Sequence, residues 1–468
     1  KLAFASGMAR KTTYRACAVL AGAACLAAGN LPQTVAGLTN ASYEELASEV
    51  LRTEISHKQI ENYRKIVEKQ KKEDLETLEA ERKRLRSEDE QARAQLERLN
   101  KAASSDTADM KRQRRELHCR LADIAHSLAD LKTQTSISIP ATYANKFTKL
   151  DFAEIWPARV SEVDDAIKYG RARDRHHGDI DDIGIRRVGE GQGRDIKLGE
   201  DAVQELKTYR LMPPELQDTK VQEYVARLGG RLAAGSDLSI PLRTKVLDSP
   251  EINAFGLPGG LLLVNAGLLQ AADSESELAG VMSHELAHIT ARHGERLSRP
   301  TASVSKALYQ GAQMAADAFT GGAVSEATQY AKQYLGIGAA LNLSMLGVNG
   351  DTEAEADQLG IQYAWRSGFD PAGFIEFYDK MAADSGSVRT ASFFRTHPPG
   401  INRIMASFSE LEYLARRQVP RYDSSEFAQA RKRILTWAAR RKAGEQMKIS
   451  LGTAPECGEP APAEISGR

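Results

Sequence analysis

"SHELAHITARH" runs from Ser283 to His293. His284 and His288 are four residues apart, and on a helix that spacing sets both imidazoles on one face, one turn apart. Two nitrogens placed in this way reach a single zinc ion at about 2.0–2.1 Å. Glu285 is turned about 100° from His284 by the helical repeat. It therefore stands beside the ion without ligating it, close to a metal-held water. The helix is predicted to start at Ser274, which with Glu277 makes a capping box, and to end at Gly294.

A catalytic zinc takes a third protein ligand and keeps one open position. "GDTEAEADQLGIQYAWRSG", residues 350–368, offers Glu353, Glu355 and Asp357 in a helical pattern. Glu353 and Asp357 share a face, while Glu355 points elsewhere. One carboxylate can bind the ion while the other holds a ligand histidine by its second nitrogen. "FFRTHPPGINRI", residues 393–404, places His397 before two prolines that exclude helix there, and Arg403 follows. A cationic pair near zinc would stabilise the oxyanion formed on a scissile carbonyl. Alternatively, His397 fills the open zinc position in a resting enzyme.

Around these motifs the chain reads as a globular unit. "EDAVQELKTYR" and "KVQEYVARLGGRLAA" have helical periodicity, and "LRTKVLD" alternates like a strand. "NAFGLPGGLLLVNAGLL" combines a Gly/Pro turn, the apolar run Leu261 to Val264 and a helix start. If that run is a sheet edge, it can pair with an extended substrate. In "RDRHHGD", His176 and His177 are adjacent, and neighbouring side chains do not share a helix face, which argues against a metal site there.

At this point the chain resembles the M48 family of zinc metallopeptidases. HELAH with a downstream ExxAD helix, the segment before the motif and "THPPGINRI" carry the resemblance, over about residues 180–408. It implies that His284, His288 and Glu353 bind one zinc and that Glu285 is the general base. It also implies that Asp357 is the supporting carboxylate and that His397 and Arg403 take substrate-side positions. The residues before the acidic motif lack the Ser-Arg often found in the family. "LGIGAALNLSMLGV" is too short to span a bilayer, unlike the equivalent region of integral-membrane relatives.

The remaining chain suggests further units. Of 468 residues, Lys plus Arg and Asp plus Glu each number 63, so charge gives no case for nucleic acid or anionic membranes. Residues 1–30 run from Arg10, Lys11 and Arg15 into a short apolar stretch, the order of a signal segment. Cys25 makes a poor lipoprotein site. Export permits a disulfide between Cys119 and Cys457 but nothing requires one. Residues 55–135 carry a three-four spacing of Leu75, Leu78, Leu85, Ala92, Leu96 and Leu99, then Met110, Leu117, Leu121, Ile124, Leu128 and Leu131. That pattern predicts an antiparallel helical hairpin, a coiled coil. The second helix is expected to be capped by Ser105 or Asp106.

The expected fold is therefore α+β and mainly helical, a zincin-type metalloprotease domain with a small sheet behind this hairpin. The boundaries are a connecting segment over 136–180, the protease domain over 181–410, a helical segment over 411–449 and a disordered tail over 450–468. The expected function is an exported zinc endopeptidase, periplasmic or outer-membrane associated, cutting unfolded or misfolded polypeptide. Its partners would be that substrate and an envelope protein or a second copy bound through the hairpin. Membrane contact would come only from a lipid anchor or an uncleaved signal. The rival reading is a non-catalytic or latent envelope scaffold with a structural zinc.

Overall fold

A computed structural model describes residues 34–101, 107–171, 175, 177–208, 212–294, 350–383, 393, 397, 400–414 and 422–452. The signal-like segment, Cys25, Cys457, His176 and the "LGIGAALNLSMLGV" stretch lie outside the described residues. Two short helices, α1 (Val35–Asn40) and α2 (Tyr43–Glu49), precede α3 (His57–Lys101) and α4 (Ala108–Thr133). Leu85, Ile124 and Leu131 form an apolar cluster between the two long helices, with Leu78 and Leu128 packed against it. Arg120 pairs with Glu88 at 3.3 Å, and Arg114 donates to the Leu99 carbonyl at 3.1 Å. Partners rise along one helix as they fall along the other, so the pair is antiparallel. At 1.5 Å per residue α3 is about 68 Å long. The cap of α4 is Thr107, which accepts from the Met110 amide, rather than Ser105 or Asp106.

The connecting segment is far more regular than expected. A π-helical turn at Gln134–Ser138 leads into α5 (Ile139–Lys168), a 30-residue helix that contains Pro157. Its face is irregular in sequence because it is covered from several sides. Phe152 stacks on Trp156 at 5.3 Å and meets Phe408 at 5.0 Å and Tyr43 at 5.5 Å. Buried Lys149 pairs with Asp379 at 2.6 Å and donates to the Ala41 carbonyl. These contacts join the N-terminal helices to the downstream unit in one continuous core.

After α6 (Asp195–Thr208) and α7 (Thr219–Ala234) come β1 (Arg243–Leu247), β2 (Ala254–Leu257) and β3 (Leu261–Asn265). The order is β1-β3-β2, with β3 parallel to β1 and antiparallel to β2. The condition for substrate pairing at Leu261–Val264, that it form a sheet edge, is therefore not met: among the described residues β3 is central and buried, and β1 and β2 flank it. The β2–β3 turn passes through Gly259 and Gly260, both at positive φ, and a side chain on Gly259 would strike the Ile196 backbone at 2.5 Å. Then follow α8 (Ala266–Ala271), α9 (Glu275–Thr290), α10 (Gly350–Arg366), α11 (Gly373–Ala383), α12 (Ile401–Tyr413) and α13 (Ser425–Gly452). The last helix ends at Gly452, three residues into the expected tail, and the rest of that tail lies outside the described residues. No helix among the described residues is long and apolar enough to cross a membrane.

Candidate metal centre

Every residue of α9 is buried, which an amphipathic surface helix would not allow. Ser274 caps it by accepting from the Glu277 amide at 3.1 Å. The reciprocal half of the expected box is replaced, because Glu277 accepts instead from the Asp273 amide and from Lys380. The helix ends at Thr290, four residues before Gly294. Arg292, at φ 56°, makes the left-handed turn, and Asp195 grips its guanidinium with two contacts of 2.6 and 2.7 Å.

Three neighbours reach the backbone of α9 through glycines. A Cβ on Gly256 of β2 would lie 2.4 Å from the Glu285 carbonyl, one on Gly360 of α10 2.9 Å from the His284 backbone, and one on Gly373 of α11 2.2 Å from the Ser276 carbonyl. Such approach sets the opposing side chains within reach of a common centre.

At that centre, His284 Nε2 is 3.1 Å from His288 Nε2 and 3.2 Å from His397 Nδ1. Glu353 of α10 adds Oε2 at 3.5 Å from His284 Nε2 and Oε1 at 3.3 Å from His288 Nε2. His397 Nδ1 is 3.2 Å from Glu353 Oε2. Bonds of 2.0–2.1 Å to a tetrahedral ion separate neighbouring ligand atoms by about 3.3–3.4 Å. Five of the six pairs among these side chains thus stand near the spacing of a zinc cage, and the four ligand atoms all lie within 4.8 Å of one another. Glu353 Oε1 is buried with no hydrogen-bond partner. The buried carboxylates Glu285, Glu353 and Asp357 outnumber buried Arg403 even with a protonated His397 added to it, and this excess of negative charge suits a dication. The donor set fits zinc.

The flanking contacts are equally specific. Asp357 Oδ1 lies 2.9 Å from His284 Nδ1. Arg403 grips Asp357 with two contacts of 2.7 Å and reaches Glu353 Oε2 at 3.0 Å. Arg403 therefore faces the acidic helix, not an open substrate space. Glu285 Oε2 accepts from the Gly256 amide at 2.8 Å, and its Oε1 is 3.1 Å from His397 Nε2. Phe374 stacks on His284 with ring centres 4.6 Å apart.

Burial alone would raise these carboxyls, and the cations overcome it. Arg403 and His397 hold Glu353 well below its usual range, and Arg403 lowers Asp357. His397 lowers Glu285. Against the penalty of burial, Glu353 and Glu285 push His397 up to about 9.

The structure brings together His284, Glu285, His288, Glu353, Asp357, His397 and Arg403, all seven residues singled out in the sequence. Sequence reasoning missed Gly256, Gly360, Phe374 and His293. Of these only His293 had a visible signal, as the last residue of the opening motif.

Two buried histidines one turn apart on one helix, with an acid from a second helix and a glutamate alongside, form a group able to hold a metal ion, the arrangement of a zincin-type metallopeptidase domain. Residues 219–410 match the model of peptidase family M48, so that part of the chain is similar to the family. It is 29% identical over 214 residues to the beta-barrel assembly-enhancing protease of Escherichia coli, covering 44% of this chain and 41% of that protein. To a putative protein of that name in Vibrio cholerae it is 33% identical over 211 residues, 43% of this chain and 41% of the other. To the mitochondrial metalloendopeptidase OMA1 of Schizosaccharomyces pombe it is 31% identical over 183 residues, 39% and 50%. The chain thus spans less than half the length of the bacterial relatives.

Proposed function

We propose that this chain is a zinc-dependent endopeptidase of the cell envelope, acting on unfolded or misfolded polypeptide. The observation that carries this reading is the cage of His284, His288 and Glu353 with Glu285 beside it. Zinc held there would polarise the scissile carbonyl and acidify the attacking water. Glu285, ionised beside His397, takes the water's proton at a carboxylate oxygen and delivers it to the leaving amine. The Gly256 amide holds the other oxygen and so fixes the direction in which the carboxylate works. Asp357 keeps the His284 proton on Nδ1 and turns Nε2 toward the ion. Arg403 offsets the charge of both acids. The names of the bacterial relatives support an envelope setting.

Glu285→Gln tests the reading. The variant should keep its zinc and lose cleavage of casein by at least about a hundredfold. A variant that still cuts at the wild-type rate would refute it.

One observation favours a latent resting state. His397 Nδ1 stands in the fourth position around the centre, 3.2 Å from both His284 Nε2 and Glu353 Oε2. A substrate carbonyl needs that position, so His397 must move aside. His397→Ala should then cleave faster than wild type. Slower cleavage would mean that His397 acts in the reaction instead.

A further inference from the structure

The two ligand histidines are supported differently. His284 Nδ1 meets a carboxylate, Asp357, directly. His288 Nδ1 meets another imidazole, with His293 Nδ1 2.8 Å away. The far side of that ring, His293 Nε2, is 3.2 Å from Glu355 Oε2. His293 is fully buried, while the side chain of Glu355 is 13% exposed. The other oxygen of Glu355 is 3.8 Å from His177 Nδ1 in the segment that follows α5.

We propose that His293 and Glu355 form the outer shell of the zinc site and select the nitrogen that His288 presents to the ion. This rests on the reading that the site holds zinc. With a neutral His293 ring and an ionised Glu355, hydrogen-bond direction at these two contacts leaves one consistent arrangement. Glu355 only accepts, so the His293 proton sits on Nε2. His293 Nδ1 is then an acceptor, and His288 must donate from Nδ1. That leaves the lone pair of His288 Nε2 facing Glu353 and His284, where a metal needs it. Without the relay, His288 is free to place its proton on Nε2 and close its lone pair to the ion.

The turn after α9 exists in this form to make that contact. A helix continued past Thr290 would carry His293 around to another face. The left-handed Arg292, clamped by Asp195 and the Glu190 carbonyl, brings the ring back to 4.8 Å from His288. Glu355 also gains a role. It sits between Glu353 and Asp357 on α10 but projects away from them, so one helix serves both histidines from two faces. His293 and Glu355 are positioning residues acting through His288.

The test is zinc affinity of the full chain, measured by competition with a chromogenic chelator and independent of turnover. His293→Leu removes the acceptor and should weaken zinc binding about 10–100-fold. His293→Asn, whose amide oxygen can accept from His288 Nδ1, should recover most of that loss. Glu355→Ala should weaken binding by about tenfold. If the leucine variant is folded by circular dichroism yet holds zinc within about twofold of wild type, the proposal is overturned. If it does not fold, Glu355→Ala decides alone, and unchanged affinity there overturns it equally. Wild type that binds no zinc would sink the metal reading itself, an outcome distinct from equal binding by wild type and variant.

Discussion

Glu285, the proposed general base, has little freedom in this protein. One oxygen is tied to the Gly256 amide and the other faces His397. Any side chain at residue 256 would press on the backbone of α9 at 2.4 Å and push β2 away. Gly256→Ala is expected to cost about 1–3 kcal/mol of stability, as overpacked sites do, and to lower turnover more than zinc content. Equal zinc content with unchanged turnover would contradict that assignment. His284, His288, Glu285 and Glu353 were legible from spacing, because helix periodicity converts sequence distance directly into direction. Gly256 was not, since its function lies in what it leaves out.

Helices α9 and α10 meet at Gly360, and the site depends on that closeness. Gly360→Ala would set a methyl 2.9 Å from the His284 backbone and wedge Glu353 and Asp357 away from the histidines. Chelator competition should register weaker zinc binding, and a variant with wild-type affinity would show that the approach is not needed. On α11, Glu376 illustrates element packing of another kind. Burial, followed by the charges of Asp370 on its own segment and Glu44 on α2, raises its carboxyl to about 8. Because the folded value lies above the unfolded one, its contribution to stability is full below the ordinary range near 4.5 and is lost as pH rises through about 8. Denaturant titrations at several pH values should show stability falling across that window less steeply in Glu376→Gln. Identical slopes would disprove it. β1, β3 and several helices were visible in the sequence, but β2, whose residues read as a Gly/Pro turn, was not, and neither was α5. It is covered on several faces, so it lacks the single apolar stripe that periodicity detects.

Across the whole molecule, one core runs from α1 and α2 through α5 to α12 and α13. Trp156, fully buried against Phe152 and Phe408, sits where the N-terminal helices join the peptidase unit. Trp156→Ala is expected to lose about 3–5 kcal/mol of unfolding free energy. If the two parts were independent, the loss would appear in only one of two unfolding transitions. Zinc should stabilise the whole, by about 2.7 kcal/mol at a hundredfold excess over its dissociation constant. A chelator should therefore lower the thermal midpoint of wild type, and an unmoved midpoint would argue against a zinc in the core.

The sequence by itself determined the chemistry of the centre. Periods of 3.6 and fixed four-residue spacings set which imidazoles and carboxylates share a face, and helical periodicity over much of the chain set the mainly helical class. Tertiary structure alone decided which strands lay at the edges, that His397 Nδ1 comes within 3.2 Å of both His284 and Glu353, and that His293 stands between His288 and Glu355. These depend on contacts between residues up to about a hundred positions apart, governed by backbone approach at glycines and by a left-handed turn at Arg292. No local periodicity records such contacts, because they arise only when separate elements close on one another.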